Sequence, residues 1–172
     1  MRLPLSLAEV NELDASAFAD TFGDVAEHSP WVAEAAASSR PFSSREALIE
    51  AFAAAILSAD AQSQRALILA HPDLAGKAAV AGDVTADSAR EQAGAGLGAL
   101  TPDEFATFSR ANADYRERFG FPFILAVRNA SKHDILAAFE RRLPNTQDAE
   151  FAEALAQICR IVRFRLEDRV AP

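Results

Sequence analysis

Helix-start signals, set into an alanine-rich and glycine-poor sequence, constrain the fold of this chain more than any other feature. In a capping box, a hydroxyl and a carboxylate three residues later satisfy backbone amides in the first turn of a helix. This spacing occurs at Ser6 with Glu9, at Ser43 with Glu46, and at Thr101 with Glu104. Proline, which favours the first helical position, follows Ser29 and Thr101. We therefore expect helices to start near residues 6, 29, 44, 101, 131 and 146.

The composition extends this expectation to the whole chain. Only 7 of the 172 residues are glycine and β-branched alternation is nearly absent, so intrinsic propensity favours helices from end to end. Gly76 and Gly82 bracket a predicted loop, and Gly120 followed by Pro122 ends a predicted helix. The sequence thus predicts an all-α fold, with residues 1–172 forming a single domain, an irregular bundle of about seven to nine helices.

Charge and cysteine content exclude several classes of function. The 17 basic and 25 acidic side chains give a formal net charge of −8 with no basic block, which argues against a nucleic-acid surface. The single cysteine, Cys159, excludes an internal disulfide framework and a cysteine-based zinc site. The longest uncharged apolar run, residues 51–59, is far shorter than the roughly 20 residues of a membrane helix. Because no targeting signal is legible and residues 169–172 are not a peroxisomal tripeptide, we expect a cytoplasmic protein that binds no membrane.

The three histidines have different surroundings, and one of them is a catalytic candidate. His28 precedes a helix start and His133 lies in a first helical turn, so both are expected to be surface or capping residues. His71 follows an apolar helix and precedes Pro72, which forces the chain to turn. An imidazole on such a rigid corner is suited to proton transfer near neutral pH. By position alone, a structural histidine and a catalytic one are equally compatible with this pattern.

A second candidate cluster contains Ser88, Glu91 and Gln92. If Thr85 or Asp87 caps a helix here, the three side chains lie at i, i+3 and i+4 and share one face. A hydroxyl, a carboxylate and an amide would then converge on a polar ligand with several hydrogen-bonding groups. The alternative, a solvated helix face, is favoured when spacing is the only evidence.

The last predicted helix places a guanidinium on its apolar side. Its apolar stripe includes Ile158 and Val162, and at 100° per residue Arg165 falls within about 20° of Ile158. A permanently charged guanidinium directed at a core needs an anion or several carbonyl groups to receive it. Two interpretations stay open: an internal carboxylate such as Glu91 pairs with Arg165, or an anionic ligand does.

Aromatic residues divide into a structural set and a possible pocket wall. Six phenylalanines recur at helical spacing and are expected to be core residues: Phe18, Phe22, Phe52, Phe105, Phe108 and Phe139. The segment 119–124 is different, because Gly120 and Pro122 interrupt the backbone between aromatic residues. Backbone amides beside aromatic walls can bind a planar ring rich in carbonyl groups.

Several of these strings, taken together, resemble one enzyme family, the 2-oxo-4-hydroxy-4-carboxy-5-ureidoimidazoline (OHCU) decarboxylases. The resemblance spans nearly the whole chain, in order. It is strongest in three segments: His71–Lys77, Ser88–Leu97 and Arg118–Ile124. Further support comes from the segments His28–Glu34 and Arg40–Phe42 and from the ending around Arg165 and Leu166.

The resemblance implies an all-α enzyme of urate breakdown that forms (S)-allantoin without a metal or an organic cofactor, commonly as a homodimer. It implies that His71 is the essential acid–base residue and that Glu91 assists in catalysis while binding the substrate. The remaining substrate-binding positions that it implies are Pro72, Ser88, Gln92, Phe123, Ile124 and Arg165.

Two other functions remain compatible with the residues. A non-catalytic helical interaction module would pair Arg165 internally and use His71 only to close a helix. A related enzyme could use the same polar groups for a ring opening or isomerisation, which also needs proton transfer.

Overall fold

The computed structural model describes residues 4–77 and 81–172, and this part of the chain is all-α. It contains nine helices, joined by turns and irregular segments, and no strand within the described ranges. The expectation of an all-α fold is therefore confirmed. The helices are α1 (Leu7–Glu12), α2 (Ala15–Phe22), α3 (Trp31–Ala37), α4 (Arg45–Leu57), α5 (Ala61–Leu69), α6 (Ala86–Gly94), α7 (Pro102–Phe119), α8 (Lys132–Arg142) and α9 (Gln147–Arg169).

The chain folds into two compact units. Residues up to Ala70, together with Ile158–Pro172, form the first unit, and His71–Gln157 form the second. In the portions that the structure describes, no helix is both long enough and apolar enough to cross a membrane. The predicted loop between Gly76 and Gly82 lies partly at residues 78–80, outside the described residues.

Helix capping follows the sequence closely, with one correction. Ser6 and Thr101 form the predicted capping boxes, and Ser131 forms another with Asp134. The prediction that Ser43 caps α4 is wrong, because the hydroxyl of Ser44 accepts the Ala47 amide at 3.0 Å. Glu46 is not the reciprocal cap either: its carboxylate pairs with the guanidinium of Arg163.

The first unit is built on a cluster of phenylalanine rings. Phe18, Phe22 and Phe52 are fully buried, and the Phe18 and Phe22 ring centroids lie 4.8 Å apart. α2 packs against α3, and α3 packs against α4. A short parallel bridge between Leu5 and Val170 joins the two ends of the described chain.

The second unit has its own aromatic core around α7 and α8, which pack against each other. Tyr115 contacts four rings: Phe119, Phe121, Phe123 and Phe139. Phe108 and Phe139 are buried as predicted, whereas Phe105 is only half-buried and lines a cavity of about 500 Å³. Gly120 ends α7 in the left-handed conformation, at φ 73°, as the sequence predicts.

Candidate active site

His71 begins the irregular segment that follows α5, and its side chain is buried. The residue is 7% exposed, and Pro72 after it is half-buried. His28 and His133 are both exposed, as expected for surface or capping residues. The structure thus singles out His71 as the buried imidazole among the three.

The turn after His71 is held by a side chain from α6. Ala75 has a positive φ of 54°, a conformation that residues with a Cβ rarely adopt. Its amide donates a hydrogen bond of 2.9 Å to Oε1 of Gln92. Backbone strain of this kind persists only where the surrounding structure enforces it, and it is concentrated at functional sites.

α6 presents its predicted polar cluster to the interior of the protein. The hydroxyl of Thr85 caps the helix by accepting the Ser88 amide, so Ser88, Glu91 and Gln92 share a helical face as expected. Ser88 is 5% exposed and Gln92 6% exposed, while Glu91 is half-buried. This burial argues against the alternative of a fully solvated helix face.

The predicted pocket-wall segment, residues 119–124, extends from the end of α7. A buried arginine of α8 contacts it. Phe123 and Ile124 are 1% and 3% exposed. The guanidinium of Arg142 donates to the Ile124 carbonyl at 2.6 Å and lies over the Phe123 ring, 4.3 Å from its centroid. Ala126, two residues further on, donates its amide to Oε1 of Gln157 at 3.0 Å. The backbone at 123–126 is therefore fixed by side chains rather than by regular secondary structure.

A carboxylate on α9 neutralises this arginine. Glu150, which is 0% exposed, accepts hydrogen bonds from Arg142, Tyr115 and Asn145. Burial pushes the pKa of Glu150 upwards, but these hydrogen bonds outweigh burial and leave the pKa below its ordinary value. Burial, with the hydrogen bond to Glu150, raises the pKa of Tyr115 well above its usual range. The group is a charged network inside an aromatic core.

Arg165 lies in the first unit and is buried, as its place on the apolar stripe of α9 predicts. Its guanidinium donates to Oε1 of Glu27 at 3.0 Å and to the Val25 carbonyl at 3.1 Å. Both charged side chains are almost inaccessible, at 2% exposure for Arg165 and 1% for Glu27. Glu27 is therefore one internal carboxylate that receives Arg165.

The sequence interpretation missed three sets of residues: Glu27, the Arg142–Glu150–Tyr115 network, and Asn112 on α7. Arg142 carried a signal of the kind that identified Arg165. It lies at i+7, i+4 and i+3 from the buried Ile135, Ala138 and Phe139, so it shares their apolar stripe. No comparable signal marks Glu27, which lies outside any helix.

Comparison with known proteins identifies the family of this sequence. The family model described as OHCU decarboxylase matches residues 11–167. The chain belongs to the OHCU decarboxylase family. The matched range contains every residue proposed above for catalysis or substrate binding.

The similarity to individual members of this family extends over nearly the full chain. The 2-oxo-4-hydroxy-4-carboxy-5-ureidoimidazoline decarboxylase of Haloferax volcanii is 45% identical and is covered over 96% of both chains. That of Mus musculus is 39% identical over 95% of this chain and 92% of its own. A crystal structure of (S)-allantoin synthase is similar, with a TM-score of 0.77 and 30% identity. The match covers 96% of this chain but only 54% of that one.

Proposed function

We propose that this chain decarboxylates OHCU to (S)-allantoin in urate breakdown and that His71 is its acid–base residue. Membership of the OHCU decarboxylase family makes the chain a carboxy-lyase. The observation that carries the role of His71 is its burial at the start of a strained turn that Gln92 holds in place. An imidazole in such a setting can exchange a proton with a bound substrate while its orientation is fixed.

The chemistry of the substrate explains why the proposal needs no metal or organic cofactor. One ring carbon carries both a hydroxyl and a carboxylate, and a ring C=N bond lies beside it. When the bond to the carboxylate breaks, carbon dioxide leaves, the electron pair forms a C=C bond to the neighbouring ring carbon, and the π pair of the C=N bond moves onto nitrogen. The substrate therefore supplies its own electron sink, and the protein has to orient it and move protons.

Each polar group then has a distinct task in the proposed mechanism. His71 accepts or shares the hydroxyl proton as the carbon–carbon bond breaks, and Glu91 binds the ring and its ureido arm. Gln92 and the backbone at residues 123–124 donate hydrogen bonds to the charge that develops on the ring, which stabilises the transition state. Ser88 and Pro72 complete the polar and apolar lining. Protonation of the enol-like intermediate from one face produces the S configuration.

The activity is tested by generating the unstable substrate in place. Urate oxidase and hydroxyisourate hydrolase are added to urate, and circular dichroism is followed with and without this protein. We expect rapid appearance of optically active (S)-allantoin only when the protein is present, at the same rate with a metal chelator. Slow formation of racemic allantoin in both samples would contradict the proposal, and a different optically active product would indicate a ring opening or isomerisation instead.

Arg165 lies in the first unit, and we propose separately that its guanidinium has two partners. It binds Glu27, as described above, and it also binds the ligand. Truncating Arg165 alone removes a buried counter-ion of the Glu27 carboxylate, which destabilises the fold by itself. The informative variant is therefore the double substitution Arg165→Met with Glu27→Gln, which removes both charges. We expect allantoin to raise the melting temperature of the parent and of Glu27→Gln, but not that of the double variant. An equal rise in all three would restrict Arg165 to the internal ion pair.

We also propose a cytoplasmic homodimer, on the basis of the family resemblance. Sedimentation equilibrium tests the assembly directly. A mass of one chain across the micromolar range would contradict it.

A further inference from the structure

We propose that Asn112 is a positioning residue for the decarboxylation, because its side-chain amide fixes the peptide group that orients both the His71 turn and Gln92. The inference rests on the function proposed above. It concerns a residue of α7 that precedes the aromatic cluster of the second unit and is not among the predicted site residues.

The first observation is the contact itself. Nδ2 of Asn112 donates a hydrogen bond of 2.8 Å to the carbonyl oxygen of Leu74, three residues after His71. Both residues are buried, at 7% exposure for Asn112 and 8% for Leu74. One helical turn further along α7, Arg116 donates to the carboxylate of Asp73 at 2.8 Å. Two side chains on one face of α7 thus bind consecutive residues of the turn.

The Leu74 carbonyl belongs to the same peptide group as the Ala75 N–H, which donates its hydrogen bond to Gln92. The carbonyl and the amide hydrogen of a trans peptide point in opposite directions. Asn112 therefore holds this peptide plane from one side while Gln92 holds it from the other. Together the two side-chain amides specify which way the plane faces.

The orientation of this plane matters because Ala75 has the positive φ of 54°. Rotating the plane through a half turn would change φ at Ala75 and would allow this strain to be relieved. The loss of either amide would therefore favour the rotated form. The strain persists because Asn112 and Gln92 both bind the observed orientation.

The same orientation determines what Gln92 presents to a ligand. Because Oε1 of Gln92 accepts the Ala75 amide, its Nε2 group is directed away from this peptide and can serve as a donor. If the plane rotated, the Leu74 carbonyl would face Gln92, and the side chain would have to turn its Nε2 group towards it. The donor proposed for transition-state stabilisation would then be used within the turn.

An open cleft of about 470 Å³ is lined by Asp73, Gly76 and Lys77 of the turn and by Asn112, Ala113 and Arg116 of α7. Asn112 and Arg116, the two side chains of α7 that bind the turn, both line this cleft.

The side-chain oxygen of Asn112 takes no part in this contact. Its Oδ1 atom is buried and receives no hydrogen bond from any residue in the described ranges. A buried polar atom without a partner destabilises the fold. Asn112 therefore binds the turn through its donor alone.

The test compares Asn112→Leu with Asp114→Leu, a control at an exposed position on the same helix. Asn112→Leu removes one buried polar atom without a partner but creates another at the Leu74 carbonyl, so we expect a melting temperature close to that of the parent. We expect kcat in the coupled dichroism assay to fall about 10- to 100-fold with little change in KM, as a small misplacement of reacting groups produces. Asp114→Leu should keep the parental kcat.

A double-mutant cycle separates positioning from general destabilisation. If Asn112 acts through Gln92, then Asn112→Leu should have little further effect on kcat in a Gln92→Ala background. Full additivity of the two effects would overturn the proposal, as would a kcat for Asn112→Leu within twofold of the parent. If Asn112→Leu does not fold, Asn112→Ala removes the amide without adding branched bulk and allows the same comparison.

Hydrogen exchange at the Ala75 amide tests the clamp, that is, the grip of Asn112 and Gln92 on the peptide group between Leu74 and Ala75. This measurement does not depend on enzyme activity. We expect slow exchange in the parent and in Asp114→Leu, and faster exchange in Asn112→Leu, because the rotated peptide loses its bond to Gln92. Equal protection in all three proteins would overturn the clamp. An inactive parent with the expected exchange pattern would instead contradict the proposed function while leaving the clamp intact.

Discussion

Replacing His71 by asparagine is expected to lower the rate of (S)-allantoin formation by roughly 10²- to 10⁴-fold, the usual contribution of a positioned acid–base group. Asparagine retains polarity and hydrogen-bonding capacity at this buried position, but it cannot take up and release a proton near neutral pH. The loss should therefore appear in kcat. Initial rates in the coupled dichroism assay measure it, and far-ultraviolet dichroism reports the helix content.

The matched control is His133→Asn, which changes an exposed histidine in the first turn of α8. It should leave both the rate and the helix content at parental values. Near-parental turnover in His71→Asn would remove His71 from the mechanism. A large loss of helix content in that variant would contradict the view that its burial serves chemistry rather than folding.

Helix positions were predictable from the sequence because capping is local. A capping hydroxyl and the amide that it satisfies are three residues apart, so Ser6, Thr101 and Ser131 identify their helices without knowledge of the rest of the fold. The error at Ser43 has a long-range cause. Two adjacent serines can cap α4, and Glu46, which would distinguish them in a capping box, is instead bound to Arg163 in the last helix.

Part of the candidate site was predictable for a similar reason. Ser88, Glu91 and Gln92 share a face once α6 is recognised, and Arg165 is identified by its place on an apolar stripe. Helical periodicity indicates which way a side chain points but not what it meets. Glu27 is 138 residues from Arg165 and Asn112 is 38 from Leu74, and such partners depend on packing between elements.

The backbone at 123–124 shows this limit most clearly. Glycine and proline predicted an irregular segment, and its position is fixed by Arg142, whose charge is balanced by Glu150 on another helix. The sequence alone did not indicate which residues hold this segment in position. In the structure this restraint comes from Arg142 and its buried ion pair with Glu150.

The pH dependence of the free energy of unfolding should show the contribution of the Glu150 carboxylate to stability. Because its pKa is lowered in the folded protein, the carboxylate contributes stability that is fully present above its unfolded-state pKa of about 4.3. That contribution is lost as the pH falls through the lower, folded-state pKa. We therefore expect the free energy of unfolding of the parent to fall more steeply below about pH 4 than that of a variant without the carboxylate.

Glu150→Leu is expected to lower the free energy of unfolding at pH 7 by about 3–5 kcal/mol, because it leaves the guanidinium of Arg142 buried without its counter-ion. Combining it with Arg142→Met removes both charges and should recover a large part of the loss, since an apolar pair of similar volume carries no desolvation penalty. Urea unfolding at pH 7 measures each variant, with Asp148→Leu, an exposed position in the first turn of α9, as the control. A loss in Glu150→Leu no larger than that in Asp148→Leu would show that the network does not stabilise the second unit. A double variant as unstable as Glu150→Leu would show that the lost hydrogen bonds, rather than the unpaired charge, account for the effect.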